Sequence, residues 1–92
     1  MSKFYDNGLQ ALYAGDLVKA EELLNKAIEN DPLNAEAYFY RGKVRWQSGS
    51  LPAAINDFNK TLDLKPLHNQ AKVSLEMVKQ IMGFRNPDLY NP

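Results

Sequence analysis

Cysteine is absent from this 92-residue chain, and histidine occurs once. The first absence excludes thiolate catalysis, a disulfide framework and cysteine-ligated zinc or iron–sulfur sites. The second leaves any histidine metal site or serine–histidine–aspartate relay resting on His68 alone. At a loop beside a helix start, His68 reads as a cap or an exposed side chain. Excess charge is missing too: eleven basic and eleven acidic residues cancel, leaving no global field to gather nucleic acid or anionic lipid. No stretch approaches the roughly 18 apolar residues of a membrane span, and the amino terminus lacks the apolar core of a signal peptide. Paired carboxylates, a nucleophile with its base and a phosphate loop are all missing. The expectation is a cytoplasmic, non-catalytic protein without metal or cofactor, bound neither to membrane nor to nucleic acid.

What the chain does have is repetition. Its 45% hydrophobic and 24% charged residues suit one globular domain, with no room for a second. A shift of 34 places pairs Gly8 with Gly42, Gly15 with Gly49, Leu17 with Leu51 and Ala20 with Ala54. It also pairs Asn25 with Asn59, Lys26 with Lys60, Pro32 with Pro66 and Leu33 with Leu67. These are eight identities where ordinary composition gives roughly two. Phe4 with Tyr38, Leu24 with Phe58 and Ile28 with Leu62 are conservative pairs in the same register.

Within each unit the apolar spacing is helical, as in Leu17, Ala20, Leu24, Ala27 and Ile28, where steps of three and four make one stripe. Gly15 and Gly49 are placed to end a first helix in the left-handed conformation, and Asp16 and Ser50 to cap a second. Pro32 and Pro66 end the second helix; Asn34, and His68 or Asn69, stand where the next needs a cap. Gly8 with Ala20, and Gly42 with Ala54, leave room for close helix approach, flanked by Phe4, Leu24, Tyr38 and Phe58. The expected architecture is all-α, with five helices near residues 3–14, 17–30, 35–48, 51–64 and 69–82.

This pattern resembles the tetratricopeptide repeat, on Phe4, Gly8, Gly15, Ala20, Leu24, Ala27 and Pro32 in one unit and Tyr38, Gly42, Gly49, Ala54, Phe58 and Pro66 in the next. Arg41, Arg45, Thr61 and Lys72 depart from it. An acidic partner for Arg41, Asp57 on the paired helix, would accommodate the first departure. The resemblance implies a right-handed α-solenoid of antiparallel helix pairs: a domain over 1–82, with repeats 1–34 and 35–68 and a capping half-repeat 69–82. Residues 83–92 would form an irregular tail, since Pro87 and Pro92 oppose a sixth helix. Leu89 and Tyr90 are candidates to fold back over Val73, Met77 and Ile81.

The resemblance also implies that the first helix of each pair lines a concave surface that holds a peptide segment of a partner protein. The candidates there are Tyr5, Leu9, Leu12 and Tyr13; Phe39, Tyr40, Lys43 and Trp46; and Val73 and Met77, with Gln47, Gln70 and Ser74 beside them. Aromatics and methionine are what interface cores favour. Leu12 and Trp46 are equally candidates for core between repeats, whereas Tyr5, Leu9, Phe39, Tyr40, Val73 and Met77 are expected to bind or to be covered within the chain. Relatives that grip the carboxy-terminal tails of heat-shock chaperones use lysine, asparagine and arginine where this chain has Tyr5, Leu9, Tyr40, Gln70 and Ser74. No carboxylate clamp can be built from these. Arg41, Lys43 and Arg45 beside Trp46 are too few and too divided to be a nucleic-acid patch and read as a solvated or ion-paired face. The leading functional expectation is a protein-interaction adaptor; the alternative is a homodimer formed through the groove or the last helix.

Overall fold

A computed structural model describes residues 2–85. The described residues form five α-helices: α1 Lys3–Tyr13, α2 Leu17–Asn30, α3 Ala35–Gln47, α4 Leu51–Leu64 and α5 Asn69–Arg85. The first four boundaries fall within a residue of expectation because the stop signals act as read. Gly15 and Gly49 adopt φ of 82° and 87°, the left-handed conformation that lets the chain reverse between the helices of a pair. Ser2, Asp16 and Asn34 accept from the backbone N–H three residues on, which satisfies an amide the helix start leaves open. Ser50 occupies the same place at α4 without a side-chain bond, and Pro52 in the first turn lowers the need by removing a donor.

α5 departs from expectation. It runs three residues past the predicted end at 82, because Gly83 stays helical instead of turning as Gly15 and Gly49 do. Residues 83–85 are therefore helix, not tail. The rest of the expected tail, with its docking of Leu89 and Tyr90, lies outside the described residues.

Each pair packs as an antiparallel hairpin, α1 on α2 and α3 on α4, with α2 against α3 and α4 against α5. The result is a solenoid measuring 45 × 27 × 18 Å. The core has two centres. Tyr5, Ala11, Leu12, Ala20, Leu24, Ala27, Ala37 and Val44 join α1, α2 and α3. Phe39, Leu51, Ala54, Phe58, Ala71, Leu75 and Val78 join α3, α4 and α5. Phe58 is fully buried, and removing such a side chain from water contributes roughly 1.5–3 kcal/mol.

Three of the four departures from the repeat pattern, Arg41, Arg45 and Thr61, find polar partners around α3 and α4, while Lys72 is exposed on α5. Arg41 donates from Nε and Nη2 to the two carboxylate oxygens of Asp57 at 2.9 and 2.7 Å, and from Nη1 to Asn25 at 3.0 Å. Arg45 reaches Asp57 at 3.2 Å and Glu21 at 3.7 Å. Burial works against the Arg41 charge, but the hydrogen bonds and charge of Asp57 raise its pKa above the ordinary arginine value. The Thr61 hydroxyl lies 3.0 Å from the Asp57 carbonyl and 3.3 Å from that of Ala35, so its one buried O–H has an acceptor.

Candidate functional site

The first helices of the units, α1, α3 and α5, share one face of the solenoid, where a cavity of about 640 Å³ opens. Its lining comprises Leu12 and Tyr13 from α1, Phe39, Tyr40, Lys43 and Gln47 from α3, and Asn69, Gln70, Val73 and Ser74 from α5. This is the size range of ligand-binding clefts. The floor is apolar, from Leu12, Phe39 and Val73. Two phenols, three carboxamides, one ammonium and the Ser74 hydroxyl supply the polar groups.

Sequence reasoning placed Leu12, Tyr13, Phe39, Tyr40, Lys43 and Val73 in the groove, and the structure brings these together. The other four lie apart. Leu9 is half-buried against the first core centre. Trp46 packs edge-on against Phe58 at 6.3 Å and belongs with the second. Met77 is exposed farther along α5. Tyr5 is core, at 5% exposure, with its ring edge-on to Tyr40 at 6.2 Å.

Phe39 needs a similar correction: expected to bind or to be covered within the chain, it is part of the core at 3% exposure and shows the cavity only a buried face. The reason is the solenoid itself. Tyr5 and Phe39 occupy equivalent places in the 34-residue register, and that place faces the first helix of the following unit. Tyr40 covers Tyr5, and His68 lies 4.8 Å from Phe39.

His68 fixes how α5 meets α3. Its Nδ1 accepts from the Ala71 N–H at 3.0 Å, capping α5, so the ring proton sits on Nε2 and is donated to Glu36 at 2.9 Å. With the cap supplied by His68, Asn69 is free to line the groove, a role sequence reasoning missed because it weighed Asn69 only as the cap. Gln47, Gln70 and Ser74, read from the sequence as neighbours of the candidates, are lining residues as well.

The tyrosines beside the groove resist ionisation. Burial, with Tyr40, Glu36, Tyr13 and Asp6 nearby, pushes Tyr5 up to about 12. Burial and the adjacent Tyr13 hydroxyl, with Glu36, raise Tyr40. Both phenols stay neutral donors and acceptors at ordinary pH. Lys43 is the lining's single cation and sits 5.7 Å from the Phe39 ring centre, a cation–π geometry.

A model of the tetratricopeptide repeat matches residues 5–69, and the chain belongs to that family. It is 36% identical over 64 residues to tetratricopeptide repeat protein 36 homolog of Nematostella vectensis, covering 70% of this chain and 35% of the relative. It is 29% identical over 86 residues to DnaJ homolog subfamily C member 7 homolog of Schizosaccharomyces pombe, covering 94% of this chain and 18% of the relative. Among solved structures, the crystal structure of MamA superposes with a TM-score of 0.86 at 26% identity, over 90% of this chain and 48% of that one. The chain thus spans less than half the length of each. Members of the family generally mediate protein–protein interactions. No described helix is long and apolar enough to cross a membrane.

Proposed function

We propose that this chain is a non-catalytic interaction module that holds a peptide segment of a partner protein in the groove between α1, α3 and α5. The observation that carries the reading is the 640 Å³ concavity, in which an apolar floor is rimmed by Tyr13, Tyr40, Gln47, Asn69 and Gln70. Apolar peptide side chains would fill the floor while hydroxyls and carboxamides meet the peptide backbone, whose own N–H and C=O groups need partners when desolvated. With Lys43 as its single cation, the groove suits a largely uncharged segment better than an acidic chaperone tail. Arg41 and Arg45 are committed to Asp57, which speaks against a nucleic-acid surface. A cytoplasmic adaptor without cofactor, away from membranes, completes this reading.

Selection of a random peptide library against the wild-type protein tests it. The enriched peptides are expected to lose at least about tenfold in affinity for Tyr13→Ala and Tyr40→Ala variants of unchanged helicity, the loss of an aromatic anchor. Peptides that bind both variants as tightly as the wild type would remove the groove from consideration.

A homodimer formed through the groove or the last helix is the second reading. Val73, Met77 and Ile81, left exposed on α5, favour the last-helix form.

A further inference from the structure

α5 differs from the other two first helices in three respects. It is longer, since Gly83 stays helical where Gly15 and Gly49 turn the chain. Its second difference is on the face that would receive a hairpin partner. Exposed Lys72, Glu76 and Lys79 stand there in the places of Phe4, Gly8 and Ala11 on α1, and Glu76 fills the space that Gly8 and Gly42 leave open for α2 and α4. Thirdly, the face toward a following unit is apolar and, among the described residues, uncovered. Val73 is the register equivalent of Tyr5 and Phe39, which the next first helix buries; with Met77 and Ile81 at four-residue steps it makes a stripe 55%, 49% and 36% exposed.

We propose that a second copy of this chain covers the stripe, α5 packing antiparallel on its counterpart about a two-fold axis at Met77. This narrows the self-association reading to one surface and one geometry. Met77 is the midpoint of Asn69–Arg85. Pairing there overlaps the two helices over their whole length of about 25 Å. It sets Val73 against Ile81 of the partner subunit and Met77 against Met77 of the partner subunit.

The stripe is therefore self-complementary, as a two-fold interface requires. Glu76 and Lys79 lie off the line of four-residue steps, so no charge is buried with it. Head-to-tail stacking of copies lacks a matching surface. Where α3 presents Ala37, Tyr40, Arg41 and Val44 to the preceding unit, α1 carries exposed Lys3, Asp6, Asn7 and Gln10. Six aliphatic side chains make an interface below roughly 1,200 Å², the class of weak and reversible complexes, so dimer and monomer exchange.

Sedimentation equilibrium from micromolar to millimolar protein is expected to show a mass rising from 10.5 kDa toward twice that value. Met77→Lys should hold the protein at the monomer mass without changing its helicity. Because the chain has no cysteine, single substitutions report the register by disulfide trapping. Met77→Cys should cross-link efficiently to its own copy under mild oxidation. Val73→Cys alone should not, since its two copies lie about 12 Å apart along the axis, beyond the roughly 7 Å a disulfide spans between Cα atoms. A mixture of Val73→Cys and Ile81→Cys proteins should cross-link. A wild type that stays monomeric throughout, a mass increase that survives Met77→Lys, or Val73→Cys trapping as fast as Met77→Cys would each overturn the proposal. Val73 also lines the groove, so a dimer formed here covers part of its α5 wall; neither readout involves a peptide, so a failed dimer leaves the groove reading to its own test.

Discussion

Gly42→Ala sets two effects of opposite sign against each other. In a helix interior, alanine is favoured over glycine by about 1 kcal/mol, so on an open face the substitution would stabilise. At Gly42 the added Cβ would lie 2.7 Å from Phe58 Cε1, 3.0 Å from its Cδ1 and 3.2 Å from Asp57 Cβ. Phe58 cannot swing away easily. It is fully buried, with Phe39 and Trp46 rings at 5.9 and 6.3 Å, and Asp57 is held by two arginines. Overpacking costs about 1–3 kcal/mol, and a 2.7 Å contact with a ring that cannot move puts it in the upper part, about 2–3, so the net expectation is a loss of about 1–2 kcal/mol. For a domain of this size that lowers the melting temperature by about 4–16 °C.

Gly8→Ala is the internal comparison. Its Cβ would meet Leu24 Cδ2 and Cγ at 3.0 Å, side-chain atoms of an aliphatic residue that can shift by a few tenths of an ångström. Its expected change is smaller than that of Gly42→Ala. Melts of both variants followed by circular dichroism decide the matter. A Gly42→Ala protein as stable as the wild type, or one that melts above Gly8→Ala, would show that the α3–α4 contact is looser than this argument requires.

Phe39→Ala is expected to cost about 3–5 kcal/mol, the range for emptying a packed aromatic site, whereas Tyr40→Ala should cost less than half as much; equal melting temperatures for the two would contradict the core placement of Phe39. Asp57→Ala leaves Arg41 without a carboxylate partner and Arg45 with Glu21 alone, and should cost about 2–3 kcal/mol, below the 3–5 of a fully buried pair because both guanidinium groups keep some solvent. Adding Arg41→Met should recover part of that loss in urea unfolding, and strict additivity would refute the coupling. At alkaline pH the buried phenols destabilise the fold. The unfolded Tyr5 ionises near 10 and the folded one at about 12, so stability is full below pH 10 and falls as pH rises through 12. Tyr5→Phe should flatten that decline in unfolding midpoints between pH 9 and 12, leaving the part due to Tyr40; identical slopes would count against a buried Tyr5.

The repeat and its helices were legible in the sequence because they depend on local chemistry. Gly15 and Gly49 reach a backbone region other residues avoid, Asp16 and Asn34 bond amides three residues away, and the apolar steps of three and four hold whatever surrounds the helix. Arg41 with Asp57 was legible too, since the period put both on one hairpin. What sequence alone could not divide was the first-helix surface into core and groove. Tyr5, Phe39 and Val73 share one place in the repeat, and whether that place is buried depends on whether another first helix follows. It does after α1 and α3, and among the described residues it does not after α5. Gly83 makes the same point for backbone: with Glu76 and Lys79 in place of small or apolar residues, no second helix among the described residues packs there to demand a turn, and the glycine stays in the helix. His68 took the cap and freed Asn69 through a bond to Glu36, a residue 32 positions away in sequence. Local chemistry determined the parts of this solenoid, and the presence or absence of a neighbouring helix decided which of their faces meet water.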